Sequence, residues 1–113
     1  MKVKTNELTG AALDWVVAKA IGEYKPVAVP TYSTDWAQGG PIIEREGITV
    51  SRTDQKSYKG QMPWVAYLIE HLFEDEYEHE YQHGPTPLIA AMRCYVASKL
   101  GDEVDVPNEL SST

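Results

Sequence analysis

Apolar positions along the chain fall into two helical patterns separated by an alternating one. Leu13, Val16, Val17, Ala20 and Ile21 recur at helical spacing and predict a helix over residues 9–21, with Trp15 and Lys19 pointing away from its apolar face. Thr9 is suited to cap it, Leu8 and Leu13 have hydrophobic-staple spacing, and Gly22 is a stop signal. Near the other end, Leu88, Ile89, Met92, Tyr95, Val96 and Leu100 form a broad apolar stripe. Thr86 precedes a proline, which pushes it into the extended conformation of a cap, and Pro87 then takes the favoured first helical position. Gly101 ends this last helix. Its opposite side carries the small residues Ala90, Cys94, Ala97 and Ser98, which suit close approach by a loop or by a second copy of the chain.

Between the helices, residues 48–52 alternate and are rich in β-branched side chains, which predicts a strand. Residues 64–69 predict a second strand antiparallel to it, and Ile42-Ile43 a third, shorter one. Residues 23–41 hold Pro26, Pro30, Gly39, Gly40 and Pro41 and read as a long loop. Residues 70–83 read as an acidic excursion, although Ile69, Leu72, Phe73 and Tyr77 also have helical spacing. Residues 102–113 lack an apolar period and read as loosely ordered, with 107–113 a flexible tail. The element order implies a small single α+β domain over residues 1–106: N-terminal helix, short antiparallel sheet, C-terminal helix, with the sheet covering the helices on one side.

Composition narrows the class. The 113 residues suit one domain, and three Trp and seven Tyr against one Phe favour aromatics with a polar handle. No apolar run approaches the roughly 20 residues of a membrane span. No hydrophobic region follows Lys2 and Lys4, so no secretory signal is expected. Cys94 alone makes no internal disulfide, and the cytoplasm is the expected compartment. The net charge of −7 opposes nucleic acid as a partner. Glu70, Glu74, Asp75, Glu76, Glu78 and Glu80 concentrate the acids, and Asp102, Glu103, Asp105 and Glu109 add a second group.

Candidate chemistry gathers in three places. Ser33, Thr34, Asp35, Trp36, Gly39 and Gly40 combine hydroxyls, a carboxylate, an indole and two glycines in a short stretch. Trp36 can stack on a planar ligand and the glycines permit close backbone approach, while the plainer reading is a turn in which Asp35 or Ser33 caps amides and Trp36 fills the core edge. The start of the last helix favours an anion through its free amides and dipole, with Thr86 adding a hydroxyl and Pro87 removing one donor. Arg93, two turns on, is suited to pair with a ligand phosphate or with an internal carboxylate such as Asp35 or Glu44, the latter being the commoner arrangement. His79-Glu80-Tyr81-Gln82-His83 matches the H-E-x-x-H pattern of zinc hydrolases, but Gly84, Pro85 and Pro87 end any helix at once, so the match is read as a solvated acidic loop and no metal ligand is assigned. Cys94 has no activating neighbour in sequence and reads as an inert packed thiol.

Three blocks together resemble the NinX-type proteins of lambdoid phages and prophages. They are residues 1–15 with their continuation to about 20, Ser33-Thr34-Asp35-Trp36 with Gly39-Gly40-Pro41-Ile42-Ile43-Glu44-Arg45, and residues 84–106. Asp35, Trp36, Gly39, Gly40, Thr86, Pro87 and Arg93 carry the likeness most strongly, and residues 54–83 add nothing to it. The resemblance implies a small cytoplasmic phage accessory protein and brings no catalytic residues and no cofactor. The leading expectation is a non-enzymatic binding protein in which Ser33, Thr34, Asp35, Trp36, Gly39, Gly40, Thr86 and Arg93 shape a pocket for an anionic, nucleotide-like ligand such as a host signal. The alternative is an acidic protein-interaction module that modulates a host factor, with the small-residue helix face supporting a homodimer. A metal-dependent hydrolase using His79, Glu80 and His83 comes third.

Overall fold

The computed structural model describes residues 1–23, 28–53, 63–68 and 81–110. Among them the elements are β1 (Lys2–Lys4), a 3-10 turn (Thr5–Glu7), α1 (Gly10–Ile21), α2 (Trp36–Glu46), β2 (Ile48–Arg52), β3 (Trp64–Leu68), β4 (Gln82–Gly84), α3 (Pro87–Leu100), β5 (Glu103–Asp105) and a second 3-10 turn (Asn108–Leu110). The domain is α+β, as the sequence predicts.

Everything is arranged around α3. Thr86 is extended and caps it through Oγ1, which accepts from the Ile89 N–H at 3.1 Å, and Pro87 opens it. Every residue from Leu88 to Val96 is buried. A single stripe therefore understates this helix: the sheet lies against it, and α1 and α2 pack on it as well. The small-residue side is covered within the chain. A Cβ on Gly84 would come within 2.7 Å of the Ala90 amide nitrogen, so β4 approaches the helix backbone there as only glycine allows. Of the four small residues, Ala90 and Cys94 are buried within the chain, while Ala97 and Ser98 are half-buried.

The larger sheet has the order β2-β3-β4, antiparallel throughout, with Ile48 opposite Leu68, Val50 opposite Ala66 and Ala66 opposite Gln82. The two predicted strands stand, but the third is β4 and not Ile42-Ile43. Residues 82 and 83, read as the end of an acidic excursion, are with Gly84 ladder partners of β3. Ile42 and Ile43 belong to α2, which replaces the end of the expected loop. Asp35 caps α2, and Gly47, at φ 69°, closes it with its N–H on the Ile43 carbonyl. Pro41 sits inside this helix and cannot donate to the carbonyl of Ala37, an exposed residue.

A second, two-stranded sheet pairs β1 with β5, setting Lys2 opposite Asp105, Val3 opposite Val104 and Lys4 opposite Glu103. Val104 and Val106 are buried and Leu110 packs on the core, so residues 104, 106 and 110 contribute apolar contacts despite the missing period. In α1, Thr9 occupies the cap position without a side-chain hydrogen bond, and Ile21, assigned to the apolar face, is 41% exposed. No helix among the described residues is long and apolar enough to cross a membrane.

Candidate functional site

The turn at residues 31–35 is closed by the Thr34 and Asp35 amides, which donate to the Thr31 carbonyl at 3.2 and 2.9 Å. It is pinned to α1 by Asp14, a buried carboxylate whose Oδ1 accepts from the Ser33 N–H at 2.8 Å. Sequence reasoning passed over Asp14; its signal was a lone acid inside the apolar half of a helix. Asp35 then turns its carboxylate onto the start of α2, accepting from the Ala37 N–H at 3.0 Å. Trp36, as the first residue of α2, stands at the surface and is 55% exposed.

This turn meets the start of α3. Ser33, Thr34 and Trp36 form one wall of a cleft of about 220 Å³, and Thr86, Pro87, Leu88 and Ile89 form the other. Two stretches distant in sequence, each picked out for its chemistry, thus share one concavity. Four of the eight predicted site residues line it. Asp35 caps α2 beside it. Gly39 lies beneath, where a Cβ would collide with the Tyr32 carbonyl and come within 2.7 Å of Leu88 Cδ1, so its role is close packing of α2 on α3. A Cβ on Gly40 would meet only the Trp36 ring, at 3.9 Å.

Arg93 is not among the residues lining the cleft. It is 3% exposed and lies deep in α3, where Nε donates to the Leu8 carbonyl at 2.8 Å and Nη1 to the His83 carbonyl at 2.7 Å. Burial pushes its pKa below the ordinary value, and Glu7 opposes that fall. The guanidinium fastens the N-terminal segment and β4 to the central helix.

The electrostatics of the cleft follow. None of its lining residues carries a charge. At the start of α3, Pro87 has no N–H, the Ile89 N–H is held by Thr86 Oγ1 and the Ala90 N–H by the Thr86 carbonyl. The Leu88 N–H is left. Next to the turn, the Tyr32 phenol is pushed up by burial first, then by Glu23 and Asp14.

A second cleft, of about 260 Å³, is lined by Trp15, Val16, Lys19, Leu100, Glu103, Val104 and Asp105. It is larger, but its acids stand opposite Lys2 and Lys4 in the β1–β5 ladder, and Lys19 lies over the Trp15 ring at 5.7 Å. The H-E-x-x-H match is broken at its end, because Gln82 and His83 are strand and cannot extend a helix that sets two histidines one turn apart. His79 and Glu80 lie outside the described residues. Among the described residues no three His, Cys, Asp or Glu side chains gather as a metal site would require. Cys94 is a buried free thiol.

A family model described as "Bacteriophage P22, NinX" matches residues 29–99. The match covers both walls of the cleft and runs through residues 54–83, where the likeness of short blocks did not reach; it leaves out the N-terminal block. No curated protein matches the chain.

Proposed function

The chain belongs to the bacteriophage P22 NinX family, and from that membership and the cleft geometry we propose a non-enzymatic phage accessory protein that binds a small, planar, nucleotide-like ligand. One observation carries this reading: Trp36 and Thr86, fifty residues apart in number, line one cleft. An exposed indole at its mouth offers a stacking surface, and Pro87, Leu88 and Ile89 offer an apolar floor. The volume lies below the roughly 300 Å³ from which pockets for drug-sized ligands begin, so the cleft holds a single ring system and leaves the rest of the ligand outside.

Thermal melting with a panel of nucleosides and nucleotides tests it. A ligand at 100 times its Kd stabilises by about 2.7 kcal/mol. Trp36→Ala is expected to abolish that shift while the free protein keeps its stability to within about 0.5 kcal/mol, as for an exposed side chain. A shift that survives Trp36→Ala sinks the reading.

Docking of a host protein is the second reading, favoured by the same exposed Trp36 beside a cleft of side-chain size and by the net charge of −7. Pull-downs from host lysate would compare wild type with a variant neutralised at Glu74, Asp75, Glu76 and Glu78; identical partner sets would count against a role for the acids.

A further inference from the structure

We propose that the cleft reads the edge of an uncharged heteroaromatic ring through the buried hydroxyl of Ser33, and does not select for an anionic group. This rests on the cleft reading above and specifies its ligand class.

Ser33 lines the cleft, is 1% exposed, and its Oγ has no hydrogen-bond partner. Buried hydroxyls are almost always paired, so an unpaired one in the wall of a concavity marks a place where something else completes the bond. The backbone of the same residue is tied to Asp14 at 2.8 Å, which fixes the turn that carries the hydroxyl. The groups an anion would need are engaged elsewhere. Arg93 is bonded to the Leu8 and His83 carbonyls, and the Asp35 carboxylate occupies the start of α2. An anion entering the cleft would have the Leu88 N–H and no cation, beside the Asp35 carboxylate. A neutral ring with carbonyl or ring-nitrogen acceptors loses nothing by this. Its face would lie on Trp36, and its edge would be read by donors of the lining residues Ser33 and Leu88. Nucleobases belong to this class.

The test is a tryptophan-fluorescence titration of the wild type and Ser33→Ala with adenosine, guanosine, cytidine and uridine, and with their 5′-monophosphates. The expected result is that at least one nucleoside binds and its monophosphate binds no tighter. Ser33→Ala should weaken that nucleoside at least fivefold, about 1 kcal/mol. The variant should melt no lower than wild type, because the hydroxyl has no bond to lose. Monophosphates binding more than tenfold tighter than nucleosides would overturn the inference and leave the cleft reading intact. An unchanged affinity in Ser33→Ala would do the same, showing that the ligand does not reach the hydroxyl. Binding by none of the eight probes would overturn the cleft reading, and the inference with it. The nucleoside–monophosphate comparison uses wild-type protein alone, so it decides the question of charge whatever the variant does.

Discussion

α2 and α3 begin beside the same cleft with the same device, a side-chain oxygen on an early amide, from Asp35 in one and Thr86 in the other. Beyond that they part. α3 is buried from Leu88 to Val96, whereas in α2 only Gly39 and Ile42 are buried. Capping chemistry therefore says where a helix starts and not what it is for. The residues that follow decide that: α3 supplies surface for α1, α2 and the larger sheet to bury, and α2 holds Trp36 out at the cleft mouth.

The sharpest way to break this contrast is at Arg93. Arg93→Ala would leave the buried carbonyl of Leu8 and the half-buried one of His83 without their guanidinium, at a cost of about 1–3 kcal/mol for the buried one and less for the other. A chain of this size has about 5–15 kcal/mol in total, so chemical denaturation should show a large loss; a loss under about 1 kcal/mol would mean that α3 does not carry the fold through this residue. The glycine pair in α2 comes next. Gly39→Ala drives a methyl into the Tyr32 carbonyl and Leu88 and should destabilise by about 1–3 kcal/mol. Gly40→Ala has room and should be neutral or gain up to about 1 kcal/mol. Equal effects from the two would remove the argument that α2 is seated on α3 at Gly39.

The smallest effect lies where the helices end. Glu46 accepts from Arg45 Nε at 3.0 Å and pairs with Lys99 at 3.3 Å, tying the end of α2 to the end of α3. The Arg45 hydrogen bond chiefly, then Lys99, holds the Glu46 carboxyl below the ordinary range against the opposing effect of burial. A depressed carboxyl binds its proton more weakly folded than unfolded. Its contribution is thus present above the ordinary glutamate pKa and is lost as the pH falls through the lowered one. Glu46→Gln should cost no more than about 1 kcal/mol at neutral pH, and urea melts should converge with wild type in acid.

How far the sequence reveals all this depends on how many signals agree at each point. At α3 the proline, the threonine before it, the terminal glycine and the apolar spacing all point the same way, and both ends were legible. The two walls of the cleft were legible as chemistry, each from its own residues. At α2 the signals conflict. Gly39, Gly40 and Pro41 read as chain breakers, and what overrides them is tertiary: Gly39 is needed for contact with Leu88, and Ala37 is exposed where Pro41 withholds a hydrogen bond. β1 and β5 are three residues each, too short for an alternation to register, though Lys2-Val3-Lys4 against Glu103-Val104-Asp105 shows it in both pattern and charge. Arg93 was singled out for the right reason, its isolation among apolar residues. Nothing in the chain's order said that two backbone carbonyls, one of them 85 residues away, would be its acceptors.

The place of α3 in the chain has a consequence for how the protein comes into being. The element against which α1, α2 and the larger sheet all pack follows each of them in sequence. During synthesis α1, α2 and β2–β4 therefore leave the ribosome before the helix that covers them, and the Leu8 carbonyl waits for an arginine made 85 residues later. Cooperative folding must await release of the last helix, and until then the apolar surface it will cover stays exposed.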